Sequence, residues 1–428
     1  MPPTCQPLRI PRAFLFLLSI LLSVPASAQH LQAFSFNAAS GSQPASDLVA
    51  DSAGNLYGTA NSGGSCSTSS SGCGTVYEFT PPPTPGGAWT ETTIYTFHGQ
   101  PDGSNPNGGL VLDKVGDLYG TTQIGGIMGS GTVFELSPPS EPGGAWTETI
   151  LYAFPGFPGD GGNPFAPVII DTAGNLYGTT NGGGTGTFGA KGTAFELSPP
   201  SQPGGNWTES ILYNFGAFQA DGGLPEAALT FDFAGNLYGT TVAGGTSDSG
   251  TVFQLAPQAG GSWTEAVLHN FGSIPSDGSN PVAALTLTPS GALIGTTEAG
   301  GTNKSFGVIF ALSPPSSPGG QWHYGIPHRF TGGADGWSPQ SRLTLLPGKN
   351  PIIYGTTTRG GTTNEGTVYQ LIPPPPGGNW TETPVYNFTG GSDGGRPQGG
   401  VIVRGFALYG TTTDGGTHGQ GTAFRLSQ

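Results

Sequence analysis

Hydrophobic positions in this 428-residue chain fall in short bursts between glycine-, proline- and threonine-rich stretches, nowhere at the 3.6-residue spacing of a helix. The period from Trp146 to Trp207 carries the pattern most clearly. Trp146-Thr-Glu-Thr-Ile-Leu-Tyr-Ala-Phe154 is dense in aromatic and β-favouring residues and ends at a Gly/Pro-rich turn, which predicts a strand. The loop Asp160-Gly-Gly-Asn-Pro164 follows, then a short apolar strand over 166–171 (APVIID), a turn, and a strand over 176–180 (LYGTT). A glycine-rich loop leads to a strand over 193–197 (TAFEL), and 199–205 (PPSQPGG) turns the chain back to Trp207. One period therefore predicts four short antiparallel strands.

The core of that period, Asp171-Thr-Ala-Gly-Asn-Leu-Tyr-Gly-Thr-Thr180, recurs from Asp51, Asp113 and Asp232. It is worn at 290–297 (SGALIGTT) and half kept at 353–357 (IYGTT) and 408–412 (LYGTT). Seven copies thus run from Gly58 to Gly410 at a period of 55 to 62 residues. A lone four-stranded sheet cannot bury its own faces, so neighbouring copies must stack. Helix-free units of this size suit an all-β fold, a seven-bladed β-propeller of four-stranded antiparallel blades. An open solenoid is the rival and would want capping repeats, which neither end supplies. The ends are complementary instead: Leu31-Gln-Ala-Phe34 aligns with Leu151-Tyr-Ala-Phe154, and 422–426 (TAFRL) stops one strand short of a blade. Residues 31–36 are expected to close the ring beside 422–427. Outward from the axis, the expected strand order is VIID, LYGTT, TVFEL and WTETxLYxF.

Composition refines this picture. Glycine (77) and proline (40) make about 27% of residues, a share that would read as disorder without a period but here marks turns in register. Charged residues are only 9%, against about 25% in an ordinary soluble domain. The 12 basic residues are scattered singly and the net charge is −14, so no nucleic acid is expected as partner. Residues 1–28 read as a cleavable signal peptide, with Arg9 and Arg12, an apolar run over 13–24, and Ala26-Ser27-Ala28 before Gln29. That run is short for a membrane span, and no later stretch approaches one. A single exported, monomeric propeller domain is expected over 29–428. Cys5 lies in the leader, while Cys66 and Cys73 are expected to form a disulfide in an oxidising compartment. Two lone cysteines make a poor zinc site, and neither metal nor cofactor is expected.

Candidate chemistry starts from what recurs. Asp-Gly-x-x-Pro occurs six times, from Asp102 to Asp393, with Ser40 in place of the first aspartate. A ring of carboxylates near the channel mouth would suit a cation or a sugar; the plainer account is an Asx turn repeated in every blade. The glycines of Gly-Gly-Thr precede strands, which suits hairpins rather than a phosphate cradle. Six tryptophans open the outer strands and read as blade packing. Asymmetry is the better pointer to a site. Trp337 breaks the loop pattern as Asp335-Gly-Trp-Ser-Pro, and Arg396 breaks it as Asp393-Gly-Gly-Arg-Pro. Phe157, Phe165, Phe188, Phe218 and Phe306 fall in loops at the same predicted end, free to stack on sugars or to fold back onto the channel mouth. The chain has no H-E-x-x-H and no G-x-S-x-G. A two-carboxylate glycosidase would draw on Glu226 and Asp335.

The unit GNLYGTTxxGGTxxxGTVFEL resembles the GloVer tandem repeat of bacterial exported proteins, the choice-of-anchor group, across nearly all of 31–428. It is also similar to propeller repeats carrying D-x-x-G-x-L-W-x-G-T. Members of the family often end in a surface-sorting anchor. The ending Leu426-Ser427-Gln428 carries none, which favours release. The resemblance implies no activity and no catalytic residues. Taken together, the expected function is binding of an extracellular polysaccharide or envelope component through Trp337, Asp335, Arg396, Phe157, Phe218 and Glu226. A carbohydrate-active enzyme and a purely structural envelope protein are the alternatives.

Overall fold

The computed structural model describes residues 31–66, 69–84, 87–141, 143–202, 204–302, 305–317, 319–346, 351–374 and 378–427. The leader expected at 1–28 lies outside them. Seven four-stranded antiparallel sheets surround a central channel, and the described residues contain no helix. Blade 3 is representative, running outward through Ile169–Ile170, Leu176–Thr180, Thr193–Ser198 and Thr208–Asn214. Blades 1, 2, 4, 5 and 6 start at Val49, Val111, Thr230, Thr286 and Thr344, in the predicted order. The innermost strands are only two or three residues long and line the channel. Beyond the second strand, the pairing of third and outer strands slips by one residue in each of blades 1 to 6. Such bulges add twist toward the rim.

Blade 7 takes Ile402–Arg404, Ala407–Thr412 and Thr422–Ser427 from one end of the chain and Leu31–Ser35 from the other. The ring closes as expected, but in a different register. Leu31 faces Leu426 and Ser35 faces Thr422, so Phe36, not Phe34, is the counterpart of Phe154. Both phenylalanines donate their N–H to the glycine before the third strand: Phe36 to Gly421 O and Phe154 to Gly131 O. A shift of two residues keeps every side chain on its original face, so hydrophobic pattern alone cannot detect it.

Between blades, one aromatic contact repeats around the whole ring. Phe154, at the end of an outer strand, meets Phe195 of the next blade edge to face at 5.1 Å, and Phe36 meets Tyr77 across the seam at 4.8 Å. Each such ring is fully buried and is worth about 1.5–3 kcal/mol in area removed from water. The glycine of Leu-Tyr-Gly-Thr exists for this ring: a Cβ on Gly178 would lie 2.6 Å from Phe195 Cζ. The following threonine ties blade to blade. Thr121 Oγ1 donates to Ala166 O of the next blade at 2.9 Å, Thr356 to Gly399 O at 3.0 Å, and Thr411 to Ser46 O at 3.1 Å across the seam. The six outer-strand tryptophans include Trp146, which packs on Tyr57 of the preceding blade at 5.9 Å.

The repeated aspartates take the plainer role. Asp160 accepts the Gly161 N–H at 2.5 Å and the Tyr152 hydroxyl at 2.7 Å, facing the outer strand rather than the channel. Glu209 of the next blade approaches the same carboxylate, so burial, with the Asp160 charge adding to it, pushes the Glu209 carboxyl up to about 7. Glu148 beside Asp102 rises likewise to about 7, and Glu265 beside Asp221 and Glu382 beside Asp335 to about 8. Between blades 4 and 5 the motif changes: Tyr324 replaces the glutamate, donates to Asp277 at 2.6 Å and stacks on His269 at 3.7 Å. The Cys66–Cys73 disulfide expected from the sequence is present in the blade 1 loop, with its Cα atoms 5.5 Å apart.

Candidate channel-mouth site

The channel encloses about 760 Å³ and widens at one end into a basin of about 740 Å³, Glu298 and Gln340 lining both. Two loops per blade build the basin, and they read D-G-x-y-P-z and T-T-u-v-G-G, where letters mark positions that differ between blades. The backbone at y is held from both sides. In blade 2 the Asn105 N–H donates to Cys73 O of the preceding blade, and Asn105 O accepts the Gln123 N–H at position u. In blade 7 the Arg396 N–H donates to Glu365 O, and Arg396 O accepts from Thr413. This geometry forces φ to between 55° and 58° at y in every blade, a left-handed conformation that asparagine tolerates best. Asparagine fills it in blades 2, 3 and 5, and arginine in blade 7 departs from that preference.

At x and v the two loops pair antiparallel, as a two-residue ladder in blades 2 to 5 and as a single bridge in blades 1, 6 and 7, so their side chains share a face. The pairs are Ser104 with Ile124, Gly162 with Gly182, Gly223 with Ala243, and Ser279 with Ala299. Only blade 6 puts two large side chains there, Trp337 opposite Arg359, with backbone hydrogen bonds of 2.9 and 3.2 Å. The Trp337 indole N–H donates to Asn364 at 3.2 Å and its ring leans on Phe306 at 5.9 Å, which fixes the indole beside the basin. In blade 7 Gly395 faces Asp414, whose carboxylate holds the Arg396 guanidinium at 2.9 Å, with Glu365 at 3.6 Å on its other side.

The electrostatics are uneven around the rim. Blades 1 and 2 contribute the amides Gln43, Asn61, Asn107 and Gln123 and blade 3 contributes Phe165; blades 5 to 7 add the charged Glu298, Arg359, Arg396 and Asp414 to the amides Gln340 and Gln398. Glu226 lies deeper, on the channel wall, and accepts the Asn181 amide at 2.6 Å. Burial raises its carboxyl above the usual range and the Glu298 charge adds to this, while the Asn181 bond opposes both. Across the seam, Asp47 accepts the Gly400 N–H at 2.5 Å; burial raises its carboxyl, opposed by that bond and by the Arg342 charge.

Two overlapping matches to the Gloeobacter/Verrucomicrobia repeat model cover residues 22–230 and 140–348, well over half the chain. The chain belongs to this repeat family. It is the family whose motif the sequence carries, and its repeat is here the propeller blade. No curated protein matches the sequence. Among solved structures, the extracellular domain of a hybrid two-component system from B. thetaiotaomicron is 13% identical at a TM-score of 0.52, over 92% of this chain and 41% of that one. The chain thus spans less than half the length of that protein. A glucose dehydrogenase-type oxidoreductase from Thermus thermophilus is 15% identical at a TM-score of 0.40, over 93% of this chain and 99% of that one. An ulvan lyase is 10% identical at 0.47, over 89% of each. The first likeness is one of fold alone, and the other two bear on nothing further.

Within this repeat frame, the residues singled out from sequence separate. Trp337 and Arg396 come together at the basin, and Glu226 lines the channel beneath it. Asp335 sits apart: its carboxylate faces His328 at 3.3 Å and accepts the Thr331 N–H at 2.8 Å. Burial would raise that carboxyl, but the His328 and Thr331 bonds outweigh it and hold it below the usual range. Phe157 and Phe218 are 71% and 43% exposed on outer loops and are not among the basin-lining residues, whereas Phe165 is. Reasoning from sequence missed Arg359, Glu298 and Asp414. Their signal lies at u and v, visible only when the seven T-T-u-v-G-G loops are set against one another. Among the described residues no helix is long and apolar enough to cross a membrane, and no cluster of three or more His, Cys, Asp or Glu could hold a metal ion.

Proposed function

We propose that the protein is an exported binding module that takes a segment of extracellular or envelope polysaccharide in the basin at the channel mouth. The observation that carries this reading is Trp337. It is the one tryptophan that does not stand at the start of an outer strand, and it is braced by Phe306 and Asn364 at the rim of a basin lined with amides. An indole face suits the C–H face of a sugar ring, and surrounding amides and charges suit its hydroxyls. The leader-like start and the Cys66–Cys73 disulfide support export.

A second reading rests on Glu226 and Glu298, two acids from different blades that share the channel, with the Glu226 carboxyl raised. They would serve a carbohydrate-active enzyme as acid and base. Incubating the chain from residue 29 with a panel of polysaccharides, while following both protein depletion and new reducing ends, separates the readings. Depletion without new ends, lost in Trp337→Ala, supports a binding module. New ends abolished by Glu226→Gln support the enzyme. Neither signal across the panel removes both and leaves a structural envelope role.

A further inference from the structure

Among the described residues, four arginines have a side-chain hydrogen bond or ion pair, and Arg359 is the arginine of the basin that has none. Arg396 pairs with Asp414 and Glu365, Arg329 donates to Ser276 O, Arg404 to Asp51 O, and Arg425 to the Tyr409 hydroxyl. Arg342 is exposed and faces the charge of Asp47. Arg359 is half-buried, lines the basin, and among the described residues its guanidinium has neither hydrogen bond nor ion pair. A partly desolvated charge left without a partner is costly, so an unpaired guanidinium at this depth is poised for one. It is also misplaced as a blade element, because the six equivalent v positions carry Ser, Ile, Gly, Ala, Ala and Asp. No blade needs an arginine there to fold.

Its position relative to Trp337 is fixed by the antiparallel bridge whose two backbone hydrogen bonds join the residues. Directly opposed residues of an antiparallel pair point to the same face with their Cβ atoms about 5 Å apart. An indole platform and a free guanidinium therefore stand side by side, the one suited to a pyranose ring and the other to a planar anion attached to that ring. We infer that the ligand of the basin is an acidic saccharide, a uronic-acid polymer whose ring stacks on Trp337 while its carboxylate pairs with Arg359. This rests on the polysaccharide reading above and narrows it to one substrate class. The neighbouring Arg396 does not compete for the carboxylate, since Asp414 and Glu365 already occupy its guanidinium.

The test uses the chain from residue 29 and titrates polygalacturonate, alginate and heparosan, each beside its carboxyl-reduced form, with dextran sulfate as the sulfate arm, by calorimetry. At least one polyuronate should bind about tenfold or more tightly than its reduced form, as expected for a charge-assisted contact. Arg359→Gln should erase that preference without lowering the unfolding temperature, because it removes no hydrogen bond or ion pair of the guanidinium and keeps most of the aliphatic stem. Arg359→Lys, which keeps the charge but not the planar fork, should restore it in part. Added salt should weaken the acidic form selectively. Equal binding of acidic and reduced forms, preference for dextran sulfate, or a preference that survives Arg359→Gln overturns the acidic-ligand inference while the polysaccharide reading stands. Binding of no polysaccharide in either form overturns both.

Discussion

The rim of the basin has two halves built on one backbone. Blades 1 to 3 and blades 5 to 7 share the same left-handed position before proline, an antiparallel pairing of x with v and the same threonine link to the next blade. Yet the first half presents no charged side chain to the basin, whereas the second presents Arg359, Arg396, Asp414 and Glu298, with Trp337, beside its amides Gln340 and Gln398. The difference teaches which positions fold and which are free. Whatever repeats in all seven copies is spoken for by hydrogen bonds or packing, and the side chains that give the basin its character are drawn from the positions that vary.

The largest expected effect lies in the shared framework and should be blind to the halves. Phe195→Ala in blade 3 and Phe330→Ala, where blade 5 packs on blade 6, each empty a fully buried ring site, and each should cost about 3–5 kcal/mol in urea unfolding. A large cost in one half and a negligible one in the other would break the equivalence. At the free positions the halves should part. Trp337→Ala should weaken saccharide binding at least tenfold, roughly 1.4 kcal/mol or more, while its counterpart Ser104→Ala leaves binding unchanged.

A smaller effect, again common to both halves, concerns pH. Burial raises Glu209 in blade 3 to about 7 and Glu382 in blade 6 to about 8, so the folded protein holds these protons more tightly than the unfolded chain. Their contribution to stability is greatest below the ordinary glutamate pKa and is lost as pH rises through about 7 to 8. The thermal midpoint should fall from pH 5 to pH 8.5, and Glu209→Gln with Glu382→Gln should flatten the profile. The blade 4–5 interface, with Tyr324 in the glutamate position, supplies no glutamate to that slope. Smallest of all is the effect of Arg396→Gln on stability. It removes a partly exposed ion pair and should move the unfolding free energy by no more than about 1 kcal/mol.

Blade number, strand order and ring closure were legible because each leaves a periodic trace: the spaced Gly-Thr pair, the Gly/Pro turns and the complementary ends. The seam register was not. Phe34 and Phe36 are two residues apart and lie on one face, so the apolar pattern fits either, and only the shortened loop before Pro44 distinguishes them. Trp337 and Arg396 stood out as large residues in a loop of small ones. Arg359 did not, because the glycines beside it explain the hairpin so fully that the residue before them draws no notice. Asp335 misled for the opposite reason. Its neighbour Trp337 is irregular, but the aspartate itself belongs to the repeat and is committed to its own loop and to His328.

The seam also governs when the molecule can be finished. Leu31–Ser35, the first described strand, pairs in its sheet with Thr422–Ser427, the last, so nearly four hundred residues must be in place before either edge is covered. Contacts between such distant segments form late and slowly. Until then the incomplete ring offers open strand edges to any neighbouring chain. A chain cut before Thr422 should therefore self-associate rather than persist as a six-bladed monomer, and the missing segment added as a separate peptide is its natural competitor for that edge.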